Sequence, residues 1–410
     1  MRDIELYRHL LGIVPPWTVQ RVELSVEEKH VDIWVEHNEG LQWPCPECGL
    51  EYPVYDHAQE RSWRHLDSCQ FQTFLHARPP RVECGLHGVK QVKLPWAEPL
   101  SRFTALFERL AIDVLREAGV SGAKRILGVS WDEAWNIMER AVERGLLAKE
   151  KTVSPRIGVD EKAVAKGQRY FTIVCDVDRA TVEYIGEGRK QASLNAYFEG
   201  LTRPQREGIR VVAMDMWEPY VQSVRSNVPK GDETIVFDKY HIMDHVGRAV
   251  DLVRKQENRA LLKIGDDTLT GTKYLWLYAD ENLPDGHRDL FEHLKTINLK
   301  TGRAWAIKES LRGFWNLDKT TEAESHWKRW YFWATHSRLK PIIEKARMLK
   351  RHLGSVMTYF THRITNALSE GVNSIIETIK RRACGFRNED HFRTAIYFHC
   401  GGLQLYPATH

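Results

Sequence analysis

Two acids in this chain stand where an acid is costly. Asp160 follows the apolar run ending in Val159, and Asp215 follows Arg-Val-Val-Ala-Met, so each sits at or near the end of a predicted strand. A carboxylate embedded in an apolar strand costs free energy unless it is paired or binds a cation. Two such acids on neighbouring strands can converge on one cation site. A third ligand is expected from a helix packed against that sheet, and the helix predicted from about Ser355 to Arg382 offers Glu370. On it Val372, Ile375, Ile376 and Ile379 form one apolar face, while Glu370, Asn373, Glu377 and Arg381 share the opposite one. Three carboxylates of this kind would hold two Mg²⁺ (or Mn²⁺) ions about 4 Å apart, a device for in-line displacement at phosphorus. Glu161, Asp238 and Glu377 are rivals, and spacing does not choose between Glu370 and Glu377. The plain alternative is that each acid caps a strand or pairs with a cation.

A second cluster has metal-ligand spacing. Cys45-Pro-Glu-Cys48 and Cys84-Gly-Leu-His87 are pairs with two-residue gaps, each followed by Gly. Such a gap lets two ligands from one tight turn reach the same tetrahedral Zn²⁺, and two turns supply four ligands. Four protein ligands leave no open position, so this Zn²⁺ would be structural. Cys69, His57, His65 and His76 lie between the pairs and compete with His87 for the fourth place. Seven Cys in a chain whose start, MRDIELYRHLLGIVPP, has no export signal favours metal ligands and core thiols over disulfides.

These residues need a scaffold, and 410 residues suffice for two or three domains. With 42% hydrophobic and 28% charged residues the chain is neither disordered nor collagen-like. No run reaches the roughly 20 apolar residues of a membrane span, so a cytoplasmic protein is expected. Up to about residue 100, alternating stretches such as VELSVEEKHVDIWVEH read as short strands around the metal knuckle. From Ile157 the order strand, strand, strand, helix, strand, helix, strand implies a mixed sheet in an α/β layer. After Lys239 the pattern is helical, with a Trp-rich insertion over residues 265 to about 350.

Between these regions lies a helix-turn-helix candidate. GAKRILG is followed by a turn at Gly128-Val129-Ser130, and Ser130 can cap a helix whose apolar face is Ala134, Ile137, Met138, Ala141 and Val142. Lys124 and Arg125 could touch phosphate there. The net charge of only +4 argues for no particular partner. Its distribution does: from Glu324 to Asp390 there are 13 Lys or Arg against 6 Asp or Glu. Within it, Lys380, Arg381, Arg382 and Arg387 follow Glu370 and could hold backbone phosphate. WKRWYFW, Trp327 to Trp333, interleaves cations with aromatics; it could stack an unpaired base, but most of its rings are expected in the core.

GVDEKAVAKGQRYFTIVCDVD, VVAMDMWEPY, IVFDKYHIMDHV, KRWYFWATHSRLKPIIEKARMLKRHL and ITNALSEGVNSIIETIKRRACGFRNEDHFRTAIYFHCGGL together resemble the transposases of the ISL-three insertion-sequence family. The resemblance runs from the zinc pairs to the last residues. It implies a multidomain α/β protein: an RNase H-like mixed sheet with helices, interrupted by an all-α insertion and preceded by a zinc knuckle and a helix-turn-helix. The divisions expected are 1–100 (zinc), 101–152 (helix-turn-helix), 153–264 (first part of the core), 265–350 (insertion) and 351–410 (rest of the core). The resemblance implies Asp160, Asp215 and Glu370 as the catalytic trio, choosing Glu370 over Glu377. Many relatives carry two Cys in the second zinc pair, so Cys84 with His87 is a departure that implies a Cys₃His site. The function implied is binding of double-stranded DNA at the element's terminal inverted repeats, cleavage, and joining of the 3′ hydroxyl to target DNA, by at least a homodimer. A regulator without chemistry and a structure-selective nuclease on the same core are the alternatives.

Overall fold

The structure is a computed structural model and describes residues 3–150, 152–165, 169–364 and 367–408. Residues 166–168 of the first family motif and 365–366 of the last lie outside the described residues. The chain divides into two compact units, residues 1–150 with 397–410, and residues 151–396.

Among the described residues the first unit contains eight strands: β1 (Trp17–Ser25), β2 (His30–His37), β3 (Gln42–Pro44), β4 (Glu51–His57), β5 (Arg61–Ser68), β6 (Phe71–Ala77), β7 (Pro80–Cys84) and β8 (Gly88–Gln91). They form two four-stranded sheets, β1-β2-β6-β5 and β3-β4-β7-β8. Alternation along β2 sends Val31, Ile33 and Val35 inward onto Trp17, Trp63 and Leu75. Two helices follow, Ala105–Leu127 and Trp131–Ala148. The first is broken at Gly119 (φ 65°), which leaves a short segment before the turn. Gly128 (φ 67°) then takes the left-handed turn, and Ser130 caps the second helix in a reciprocal box with Glu133. This is the expected arrangement, and Ala134, Ile137, Met138, Ala141 and Val142 are all buried.

The last residues of the chain depart from the expected division, in which 351–410 formed one segment. From Tyr397 they belong to the first unit. Phe398, Leu403 and Leu405 complete the apolar cluster of the two helices, and Arg144 donates to the Leu405 carbonyl. A Cβ at position 145 would lie 2.6 Å from Leu403 Cβ, so Gly145 permits that approach.

The second unit is built on one sheet of β9 (Arg156–Ala165), β10 (Arg169–Asp176), β11 (Thr181–Glu187), β12 (Val211–Met214) and β13 (Ile235–Phe237), in the order β11-β10-β9-β12-β13. The first three strands are antiparallel; β12 and β13 add parallel to β9. Every residue of β12 and of the edge strand β13 is buried, as the unbroken apolar runs of parallel strands covered on both faces require. The helical insertion is not a separate body, because Leu269, Trp276, Phe291, Phe314, Trp327 and Trp330 share one apolar cluster with β12 and β13. Two expectations need correction. The helix drawn from Ser355 to Arg382 is two helices, Leu353–His362 and Ala367–Arg382; Arg363 (φ 52°) ends the first. Ile375, placed on the apolar face, is 49% exposed, whereas Val372, Ile376 and Ile379 are buried.

Candidate functional site

Strand register sets the level of the acids. Val159 pairs with Met214 and Met214 with Phe237, so the next residue on each of three adjacent strands is a carboxylate: Asp160, Asp215 and Asp238. Asp215 lies just past the end of β12. Asp160 is not at a strand end, since β9 runs on to Ala165, but its parallel pairing with β12 stops at Val159. Burial pushes the Asp160 carboxyl up, against the pull of the Glu161 N–H, His241, the Asn373 amide and Lys162. Asp215 is pushed up to about 6, first by burial and further by the charges of Asp160 and Glu161. The Trp217 N–H donates to Asp215 Oδ1 (3.1 Å) and the Glu161 N–H to Asp160 Oδ1 (2.7 Å).

The helix Ala367–Arg382 runs alongside β9. The Asn373 amide donates to Asp160 Oδ2, the Lys162 ammonium reaches Glu377 (3.2 Å) and the Asn373 carbonyl (3.2 Å), and Lys380 donates to the Ala163 carbonyl (2.7 Å). Rising one turn along the helix therefore moves along β9 in the same direction. Glu370, one turn before Asn373, therefore lies one turn beyond the level of Asp160 toward the start of β9, where the charges of Asp238 and Asp160 reach it. Its carboxyl is pushed up by partial burial, then by Asp238 and Asp160, with His241 opposing. Two rivals are otherwise engaged: Glu161 binds Arg189 (3.1 Å) and Glu377 binds Lys162, whereas Asp238 accepts from the Tyr240 N–H at Oδ1 (2.9 Å) as the cap of helix Lys239–Leu262 while its buried Oδ2 has no partner among the described residues. Among the described residues the three carboxylates Asp160, Asp215 and Glu370 are not drawn into a closed ligand cluster. Burial is the first cause of the raised carboxyl at each of the three, and the charge of Asp160 adds to it at Asp215 and Glu370.

Sequence reasoning missed three neighbours: Asn373 as the partner of Asp160, Trp217 as the backbone donor to Asp215, and His241, whose charge acts on Asp160, Asp215 and Glu370 alike. The HIMDH run after Asp238 was the available signal for His241, since it opens the helix that follows β13.

The zinc candidate closes. The ligand atoms of Cys45, Cys48, Cys84 and His87 all lie within 4.8 Å of one another. Cys48 and Cys84 sulfurs are 3.7 Å apart, and His87 Nδ1 is 3.5 Å from Cys84 and 3.8 Å from Cys45. A tetrahedron with metal–sulfur bonds of about 2.3 Å has edges of about 3.8 Å, so the set fits Zn²⁺. Gly49 (φ 75°) and Gly88 (φ 68°) turn the chain after each pair. Cys84 is lowered to about 6, chiefly by its hydrogen bond with the Tyr52 hydroxyl and against burial. The competitors are used elsewhere: His65 meets Thr104 (2.9 Å), His76 meets Asp32 (2.6 Å), His57 stacks on His37, and Cys69 is exposed in a turn.

Of the DNA candidates, Lys124 and Arg125 are exposed in the last turn before Gly128, and Arg381, Arg382 and Arg387 are exposed, whereas Lys380 is spent on β9. In WKRWYFW, Trp327 and Trp330 are buried, while Phe332 and Trp333 are 64% and 43% exposed.

Three family models match along the chain. One described as a transposase covers residues 157–396, one described as the zinc-finger of transposase IS204/IS1001/IS1096/IS1165 covers 41–85, and one described as the helix-turn-helix domain of transposase family ISL3 covers 92–142. The zinc-finger match ends two residues short of His87, which the fold brings to the other three ligands. Among curated proteins, the transposase for insertion sequence element IS1557 of Mycobacterium tuberculosis (strain ATCC 25618 / H37Rv) is 26% identical over 95% of this chain and 93% of its own length. The transposase for insertion sequence element IS1001 of Bordetella parapertussis is 25% identical over 85% of this chain and 86% of its own.

Proposed function

The chain belongs to the transposase family ISL3, and we propose that it is a DDE transposase with an RNase H-like catalytic core in which Asp160, Asp215 and Glu370 hold the catalytic cations. The observation that carries this reading is the shared level of Asp160 and Asp215 on adjacent parallel strands, with the Glu370 helix tied to β9 through Asn373. The sheet order, three antiparallel strands extended by two parallel ones, supports the core assignment. The helix-turn-helix and the zinc-bearing sheets bind the terminal inverted repeats, with Lys124 and Arg125 on phosphate. Arg381, Arg382 and Arg387 hold backbone near the acids. Two ends must be brought together, so the working form is at least a dimer.

Mg²⁺ or Mn²⁺ at the trio would activate the attacking water or 3′ hydroxyl and stabilise the leaving oxygen at phosphorus. The protein's own part is orientation. Asn373 and the Glu161 N–H hold the two oxygens of Asp160, and the Trp217 N–H holds Asp215. Arg189 draws Glu161 aside, so that this neighbouring acid does not compete for cations. The nucleophile is first water and then the freed DNA end, with no covalent link to protein.

End-labelled terminal DNA with Mg²⁺ tests the reading. Asp160→Asn and Asp215→Asn abolish strand cleavage and leave binding largely intact. Binding without cleavage by the unaltered chain would instead indicate a regulator. Cleavage without joined product on a supercoiled target would indicate a nuclease.

A further inference from the structure

The second unit contains a groove of about 580 Å³ lined by Tyr170, Gly188, Arg189, Lys190, Trp217 and Gln222. Its aromatic wall is set by Arg189. The guanidinium lies 4.2 Å from the Tyr170 ring centre and 5.0 Å from that of Trp217, and the Trp217 indole N–H donates to the Arg189 carbonyl (2.9 Å). Glu161 anchors the same guanidinium (3.1 Å). The loop carrying Arg189 is fixed from β10 on both sides: the Gly188 N–H donates to the Tyr170 carbonyl (2.7 Å), and the Thr172 hydroxyl donates to the Gly188 carbonyl (2.8 Å). Gly188 takes a φ of 76°, which a side chain would strain. The wall is therefore built before any ligand arrives.

Its chemistry is that of a nucleotide site. Trp217 is 36% exposed, and an indole stacks on any base. Lys190 is exposed beside it. Helices Gln191–Glu199 and Glu218–Asn227 both begin at the groove without a side-chain cap, although Pro219 has no N–H and the Ser193 and Tyr220 N–H groups donate to the Lys190 and Trp217 carbonyls. The carboxylate that lines it, Glu218, accepts from the Gln222 amide (2.5 Å). Position identifies the occupant. The Trp217 whose ring forms the wall also donates its backbone N–H to Asp215, and Arg189 pairs with the residue after Asp160. The groove thus lies next to Asp215, on the Glu161 face of β9 and not on the face that carries Asp160.

We infer that this groove is a subsite for a single nucleotide of the DNA strand being cut, next to the scissile phosphate, with its base stacked on Trp217 and its phosphate at Lys190. The inference rests on the DDE reading, because that reading puts the scissile phosphate at Asp160 and Asp215. A nucleotide held there is splayed from its duplex, which aligns the neighbouring phosphodiester.

The test scans 2-aminopurine through single positions around the cleavage point of terminal DNA bound to the full chain, with Ca²⁺ replacing Mg²⁺. Trp217→Ala brightens emission at one flanking position relative to the unaltered chain, because the extruded base loses its stacking partner. Cleavage in Mg²⁺ falls roughly 5- to 150-fold, the range of one lost base-aromatic stack. Trp217→Phe restores both, and an unchanged melting temperature of Trp217→Ala excludes misfolding. Emission identical to the unaltered chain at every scanned position, or full cleavage by Trp217→Ala, overturns the inference even where cleavage itself upholds the transposase reading. If the unaltered chain does not cleave, the transposase reading fails, while the emission scan still decides whether the groove takes a base.

Discussion

The side-chain amide of Asn373 donates to Oδ2 of Asp160, joining positions 213 residues apart. This bond ties the helix of Glu370 to the strand of Asp160 and orients one carboxylate of the proposed trio. Partners of metal-binding groups typically cost 10- to 100-fold in affinity or activity when lost. Asn373→Ala should therefore lower cleavage by about that factor and raise the Mg²⁺ concentration at half activity, while affinity for terminal DNA is retained. Asn373→Asp should be worse, since it sets a like charge against Asp160. A Mg²⁺ titration of cleavage that superimposes on the unaltered chain would sink the argument.

Glu377, two turns along from Glu370, serves a different end. It pairs with Lys162 at 3.2 Å with 43% of its side chain exposed, and such pairs contribute only about 0–1 kcal/mol. Glu377→Gln should leave cleavage within a few-fold of normal and barely shift melting, whereas Glu370→Gln should reduce cleavage to background. Equal losses from both substitutions would show that the helix register has been misassigned.

At the zinc site, the ligand set predicts which substitution is tolerated. Cys84→Ser removes a thiolate from the end of β7 and should abolish bound zinc, loosen the β3-β4-β7-β8 sheet and lower affinity for terminal DNA. His87→Cys should keep one Zn²⁺ per chain, because a four-thiolate site is equally tetrahedral. Metal content measured on purified protein checks both, and zinc retained by Cys84→Ser would refute the assignment.

What was legible in the sequence was local. The Cys-x-x-Cys gap, the Ser130 cap with Glu133 three residues on, and an acid directly after an apolar run each state their geometry within a few residues. The fourth zinc ligand was not local: His87 wins over His57, His65 and His76 only because β7 and β8 pair and bring that turn beside Cys45. The break at Arg363 left no trace either, since a left-handed residue that is neither Gly nor Asn carries no composition signal. Nor could periodicity show that Leu403 would settle over Gly145, because that contact joins segments from opposite ends of the chain.

His65 makes the first unit sensitive to acid. Burial, with a further push from Arg64, lowers its imidazole from 6.5 to about 4, and Nδ1 sits 2.9 Å from the Thr104 hydroxyl that caps helix Ala105–Leu127. The folded state thus favours the neutral ring, and the unfolded chain takes up a proton first as pH falls. Stability is fully present above pH 6.5 and is lost between 6.5 and about 4, by up to roughly 3 kcal/mol from this group. Zinc thiolates also take up protons in acid, so the comparison must be with His65→Gln, which keeps the zinc ligands. Denaturant midpoints followed by tryptophan emission at pH 7.5 and 5 should fall further for the unaltered chain than for His65→Gln. If the two chains lose stability in parallel, the acid sensitivity lies elsewhere and the buried imidazole is not its source.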